Sequence, residues 1–209
     1  HVFQTQTDSE VLLHLYEDYG AGMVDQLNGM FALVICHLNE PKIFMARDRC
    51  GKKPLYYATS QGRLAFASGP RSLAKVDWVD QELNDAALAD FLVLQCLPSP
   101  HAIYRGIQRL PPGHFAWWTN GELQIQRYWR PELRPSFKGN YQDAVAELRF
   151  HLEGAVRRRL VADVPLGLFL SGGLDSSLIC ALAQYVSGLR NKTYNIGFPE
   201  AAYDERRHA

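Results

Sequence analysis

The apolar pattern of this chain changes once, and that change limits what it can fold into. Up to Trp129 the sequence reads as consecutive strands with few helices. After a stretch rich in proline and charge it reads as helix, strand, helix, strand. Strands that follow one another through tight turns pair antiparallel. A strand, a helix and a second apolar strand make a parallel βαβ unit instead. Two architectures are therefore expected in series, divided near "RPELRPSFKGN".

In the first part, "MFALVICHL" and "KIFMARDR" are strands joined at Asn39-Glu40-Pro41. "PLYYAT" and "RLAFAS" are strands flanking Gln61-Gly62, and "HFAWWTNGELQIQRYW" is a hairpin whose Asn120-Gly121 favours a type I′ turn. "TDSEVLLHLYEDYG" has a helical apolar stripe, with Thr7 and Glu10 at capping-box spacing and Gly20 at its end. Asn84 is positioned to cap a second helix, "NDAALADFLVLQ". In the second part, "YQDAVAELRFHLEGAVRRRL" is a long amphipathic helix. A short buried strand over residues 166–170, a helix "SSLICALAQYVSG" and a second strand "TYNIGF" follow.

Net charge is formally zero, so bulk electrostatics favours neither nucleic acid nor a membrane surface as partner. Arg157-Arg158-Arg159 reads as a solvated helix end that complements the helix dipole. Among the four cysteines, Cys36, Cys96 and Cys180 have apolar neighbours. All four read as reduced thiols of a cytoplasmic protein, with buried packing their default role. The seven histidines show no ligand spacing, so a zinc site is not expected. The chain starts at His1 inside a strand-like stretch and stops at "DERRHA" within a helical pattern, so we expect a piece of a longer protein.

The chemistry concentrates in "LFLSGGLDSSL". In a parallel sheet, ligands bind beyond the carboxyl ends of the strands. Gly172 and Gly173 permit close backbone approach, and the free N–H groups of the following helix favour an anion. Ser171, Ser176 and Ser177 add hydroxyl donors. No lysine-bearing P-loop and no dinucleotide fingerprint is present. Asp175 beside a polyphosphate would be repulsive without a cation, and Mg2+ is the natural one. The plainer alternative is a tight strand–helix turn with Asp175 and Ser176 only capping the helix.

"SGGLDSS" resembles the pyrophosphate-binding loop of ATP pyrophosphatases. With "MFALVI", "ARDRCGKKPLYY", "FAS", "YRGIQRLPPGH", "RYW" and "DVPLGLFLSGGLDSSL" in that order, the chain resembles glutamine-hydrolysing asparagine synthetases of the asparagine synthetase B type over essentially its whole length. The resemblance implies an α+β, layered glutaminase portion of the N-terminal-nucleophile type, followed by the start of an α/β parallel-sheet ATP pyrophosphatase domain. It assigns 1–130 to the glutaminase, 131–140 to a linker and 141–209 to the synthetase domain. It implies glutamine, ATP with Mg2+ and aspartate as partners, and leaves a homodimer open.

Carried over by position, the resemblance makes Asp8 the holder of the glutamine α-amino group. From the residues alone, Asp8 reads first as a stabiliser of the helix N-terminus. ATP and pyrophosphate fall to Leu170, Ser171, Gly172, Gly173, Leu174, Asp175 and Ser176, with Asp175 also the candidate Mg2+ ligand. Ile196 and Gly197 would meet the adenine through backbone, although Ile196 fits a plain core strand equally well. The nucleophilic cysteine would lie upstream, so this chain alone is expected to be inactive. Cys50 sits in "RDRCGKKP", where the arginines and Asp48 are expected to pair around a tight turn. Asp204 and Glu205 are assigned to a helix start. Gly69 stands where the family has glutamate, which puts inter-domain coupling in question. Two rivals remain open: the same chemistry on another acceptor, and a nucleotide-binding module without turnover.

Overall fold

The computed structural model describes residues 1–133, 137–200 and 204–206. Residues 134–136 of the expected linker, and 203 and 207–209 of the C-terminal "YDERRHA", lie outside them. The chain divides into two compact units, His1–Glu132 and Leu133–Ala209.

The first unit contains α1 (Asp8–Tyr19), α2 (Met23–Gln26), β1 (Ala32–Cys36), β2 (Lys42–Arg47), β3 (Tyr56–Ser60), β4 (Arg63–Ala67), α3 (Pro70–Leu73), α4 (Asp85–Leu94), β5 (Gln108–Arg109), β6 (His114–Thr119) and β7 (Glu122–Arg127). One sheet has the order β1-β2-β6-β7 and the other β4-β3-β5; every pairing in both is antiparallel.

The burial pattern shows how the layers stack. Phe44 and Ala46 of β2 pack with Met23 and Val24 of α2, and Leu12, Leu15 and Tyr16 of α1 close that side. Met45, between them in sequence, points the other way, to Leu55, Tyr57 and Leu110 beside the second sheet. Beyond that sheet, Ala58 packs with Leu73, Val79 and Ile107. Phe44, Met45 and Ala46 are all fully buried. A strand covered on both faces reads as an unbroken apolar run, and "IFMA" is such a run.

The Asn120-Gly121 hairpin turns as the sequence predicts, and the Gln61-Gly62 hairpin adopts the same kind of turn. Asn120 and Gly121 have φ of 52° and 86°, and Gln61 and Gly62 have 49° and 71°, so both turns have positive φ at both central residues. The two turns meet: a Cβ on Gly121 would lie 3.0 Å from the Gly62 Cα.

The second unit contains α5 (Tyr141–Arg159), β8 (Gly167–Phe169), α6 (Leu174–Ser187) and β9 (Lys192–Tyr194). β8 and β9 pair in parallel. Val156 of α5 packs on Leu182 and Ala183 of α6, with Leu168 of β8 beside them. The expected burial of the first strand does not hold. Phe169 is 77% exposed and Tyr194 56% exposed, because two strands with one helix pair cover only part of a parallel sheet. The cysteines depart from expectation as well. Cys36, Cys50 and Cys96 are exposed and Cys180 is partly buried. Cys36 ends β1 and Cys96 follows α4, whose Leu92 and Val93 are themselves exposed. Among the described residues, no helix is long and apolar enough to cross a membrane.

Candidate functional sites

Asp8 is the first residue of α1 and is exposed. Thr7 occupies the cap position, but its side chain makes no capping bond. The expected Thr7–Glu10 capping box is therefore absent. Glu10 reaches further back, accepting the Gln4 and Thr5 N–H groups at 2.6 Å each and the Thr5 hydroxyl. Its carboxylate fastens the segment that leads into Asp8.

The Thr5 hydroxyl, more than any other neighbour, and the Gln4 amide hold the Glu10 carboxyl at about 2, below its usual 4.5. A carboxylate held below its unfolded range stabilises the fold above pH 4.5, and that contribution is lost as pH falls toward 2. In an NMR titration, the Gln4 and Thr5 amide signals are expected to move with a midpoint near 2. A midpoint near 4.5 would show that the clip does not form in solution.

The "RDRCGKKP" turn is built from side chain to backbone, which corrects the expected pairing of arginine with aspartate. Asp48 Oδ1 accepts N–H from Cys50 at 3.1 Å and from Lys52 at 2.9 Å, and Oδ2 accepts Lys53 N–H at 3.0 Å. Arg47 donates to the carbonyls of Lys53, Leu110 and Gly51 at 2.8, 2.7 and 2.6 Å. Burial pulls the Arg47 guanidinium below its usual range, with Arg109 adding to the effect. Burial also raises the Tyr128 phenol, which donates to the Arg47 carbonyl, to about 12. Cys50 is an exposed passenger of this turn.

The glycine turn joins β8 to α6. Gly172 has φ of 87°, a conformation that favours glycine. Gly173 is ordinary extended backbone at φ −71°, so only close approach could require it to be glycine. As the cap residue of α6 it has no side chain, and the first N–H groups of the helix carry no side-chain cap. Ser176 ties the turn together through its own hydroxyl, a contact that the plainer reading of a tight strand–helix turn also accommodates. Ser176 Oγ donates to the Gly173 carbonyl at 3.0 Å and accepts Ser171 N–H at 3.3 Å. Ser171 Oγ lies 3.0 Å from Ser176 Oγ and accepts Gly173 N–H at 3.4 Å. Asp175 and Leu174 are exposed at the helix start.

Beside this turn lies a cavity of about 300 Å³, lined in part by Leu170, Ser171, Tyr194, Ile196 and Glu205. Asn195 Nδ2 donates to the Leu170 carbonyl at 2.5 Å. Ile196 lies beyond the end of β9 at Tyr194, so the expected strand position is corrected to a loop position on the cavity wall. Gly197 is exposed, and a Cβ there would collide with the Arg206 guanidinium. Asp204 binds Arg206 through both carboxylate oxygens at 2.8 Å, and that bond holds its carboxyl at about 2. The helix expected to open at Asp204 would run into residues 207–209, outside the described part. Pattern reading missed Asn195 and Glu205 as members of this wall, because neither type is distinctive in a loop.

Residues 1–129 match the family described as a glutamine amidotransferase domain, and residues 147–209 match the asparagine synthase family. The chain belongs to the glutamine amidotransferase family, joined to an asparagine synthase segment. Its layered α+β first unit and parallel second unit are the two parts of that pairing. Asparagine synthetase [glutamine-hydrolyzing] 1 of Bacillus subtilis is 33% identical over 98% of this chain and 32% of its own length. A putative asparagine synthetase [glutamine-hydrolyzing] of Mycobacterium bovis is 36% identical, again over 98% of this chain and 32% of its own length. A protein named Amidase chry2 of Gibberella zeae is 31% identical over 88% of this chain and 27% of its own length. The chain thus spans about a third of the length of these relatives.

Proposed function

We propose that this chain is the junction of a glutamine-dependent asparagine synthetase. Residues 1–130 form the later part of a glutaminase, 131–140 a linker, and 141–209 the opening of the ATP-binding domain. In the complete reaction, glutamine hydrolysis supplies ammonia. The aspartate side-chain carboxylate attacks ATP to give an acyl-adenylate and pyrophosphate, and ammonia then displaces AMP. Glutamine, ATP and aspartate are the substrates; a homodimer is compatible with this reading, and no nucleic acid or membrane takes part.

The observation that carries this reading is the uncapped start of α6 at the end of a parallel strand, reached through a positive-φ glycine and flanked by two serine hydroxyls and a cavity. N–H groups at a helix start bind phosphate. In the proposal, Ser171, Gly172, Gly173, Leu174, Asp175 and Ser176 hold the pyrophosphate, Leu170 borders it, and Ile196 and Gly197 border the adenine. The Asp175 carboxylate suits Mg2+, which is usually held by one or two carboxylates together with substrate phosphates. On the other unit, Asp8 pairs with the glutamine ammonium.

The two roles are separable. In the full-length enzyme, Asp8→Ala is expected to raise the glutamine KM about ten- to a hundredfold, the worth of a charge-assisted contact, and to spare ammonia-driven synthesis. An unchanged glutamine KM would return Asp8 to the role of helix stabiliser. A second reading keeps the same activation chemistry on a different acceptor. Assaying a panel of carboxylates for ATP-dependent amide formation distinguishes the two.

A further inference from the structure

α1 places His14 and Glu17 on one face, one turn apart, and the segment before the helix lays His1 against them. Glu17 Oε2 lies 3.2 Å from His14 Nδ1 and 3.5 Å from His1 Nδ1, and the three donor atoms lie within 4.8 Å of one another. The two imidazoles stack with centroids 4.2 Å apart. A tetrahedral zinc ion with bonds of about 2.0–2.1 Å sets its ligand atoms roughly 3.3–3.4 Å apart, so two edges of the triangle already match. The third edge closes by turning the exposed His1 ring about its side-chain bonds.

The outer nitrogens support the same arrangement. His1 Nε2 lies 2.8 Å from Asp18 Oδ1, and His14 Nε2 lies 3.6 Å from Glu10 Oε1. A carboxylate behind each imidazole is what orients histidines that bind metal through the opposite nitrogen. His14 Nε2 is shut off from solvent and has no hydrogen-bond partner. Metal on Nδ1 would fix the proton on Nε2, where the Glu10 carboxylate can accept it. Glu10, Glu17 and Asp18 also gather carboxylate charge beside the two imidazoles that a dication would offset.

We propose that His1, His14 and Glu17 form a binding site for a divalent transition metal of the zinc class, with water completing the coordination. The ion would staple the first residues of the chain to α1, next to the segment that Glu10 fastens. Sequence spacing gave no sign of it, because the ligands come from two segments that only the fold brings together.

The test is a Zn2+ titration by calorimetry on the chelator-stripped chain, run as it stands and with a Gly-Ser pair ahead of His1. The extension keeps any free amine away from the imidazole. The expected result is one Zn2+ per chain in both forms, with Co2+ giving the intense visible bands of four-coordination. His14→Ala and Glu17→Gln are expected to abolish saturable binding, with far-UV circular dichroism unchanged. Asp18→Asn is expected to weaken binding about ten- to a hundredfold. No saturable binding, binding that disappears with the Gly-Ser extension, or equal affinity in His14→Ala would overturn the proposal. The cluster would then be a set of histidine–carboxylate ion pairs.

Discussion

Asp175→Asn in the full-length enzyme is expected to lower ATP-dependent synthesis at least about a hundredfold, with ammonia as the nitrogen source, while glutamine hydrolysis continues. Asp175 is exposed in the first turn of α6, directly after the Gly172 turn. A carboxylate there opposes a polyphosphate unless a cation lies between them, so its proposed work is to hold Mg2+ against the phosphates. Asparagine keeps size and shape but gives up the charge. Removing even one preorganised hydrogen-bond donor to a transition-state charge costs about 2.7–4 kcal/mol, a factor of roughly a hundred to a thousand, and losing the charge that holds the cation is expected to cost at least as much. Hydrolysis survives because Asp8 and the amidotransferase layers belong to the other unit. Ammonia-driven synthesis at a near wild-type rate would remove Asp175 from the nucleotide site.

Asp48→Ala is expected to destabilise the first unit strongly. Asp48 is 1% exposed, and its carboxylate accepts the N–H groups of Cys50, Lys52 and Lys53. Its main chain extends the network: its N–H donates to the Phe31 carbonyl, and its carbonyl accepts from Gly51 and Gly113. Arg47 closes the outside of the turn, and Gly51 has no room for a side chain, since a Cβ there would lie 2.8 Å from Pro112. Alanine leaves three N–H groups without their charged acceptor. Each such bond is worth about 1.5–3 kcal/mol and the three are not additive, so a total near 3–5 kcal/mol is expected. For a unit of this size that lowers Tm by roughly 10 °C or more, read by calorimetry. A change of no more than about 2 °C would mean that the turn is held by Arg47 alone.

Local signals survived the passage from sequence to structure where the chemistry was local. Asn120-Gly121 turned as its φ preference requires, and Asn84 caps α4 by accepting Ala87 N–H. The signals that failed depend on partners distant in sequence or on competition between them. Thr7 and Glu10 have capping-box spacing, but the Gln4 and Thr5 donors outcompete the cap for the same carboxylate. Asn140 and Asp143 form a real capping box at the start of α5, one residue inside what read as linker. Charges adjacent in "RDR" suggested ion pairs, whereas a buried tight turn exposes backbone groups that bind those charges first. Burial of "LGLFL" was inferred from composition, but burial requires covering layers that two strands and two helices do not supply. The turn between β8 and α6 was legible as a turn because the glycines of "SGGLDSS" set its local geometry. The cavity wall was not, because Asn195 and Glu205 reach it only through the fold.

The central claim is that the Gly172 turn serves an adenylating site and not one that releases phosphate. Aspartate-dependent exchange of labelled pyrophosphate into ATP, measured on the full-length enzyme without glutamine or ammonia, tests it most directly. The account predicts exchange that requires aspartate and Mg2+ and is lost in Asp175→Asn. ATP cleaved to ADP and phosphate, or exchange indifferent to Asp175→Asn, would contradict it.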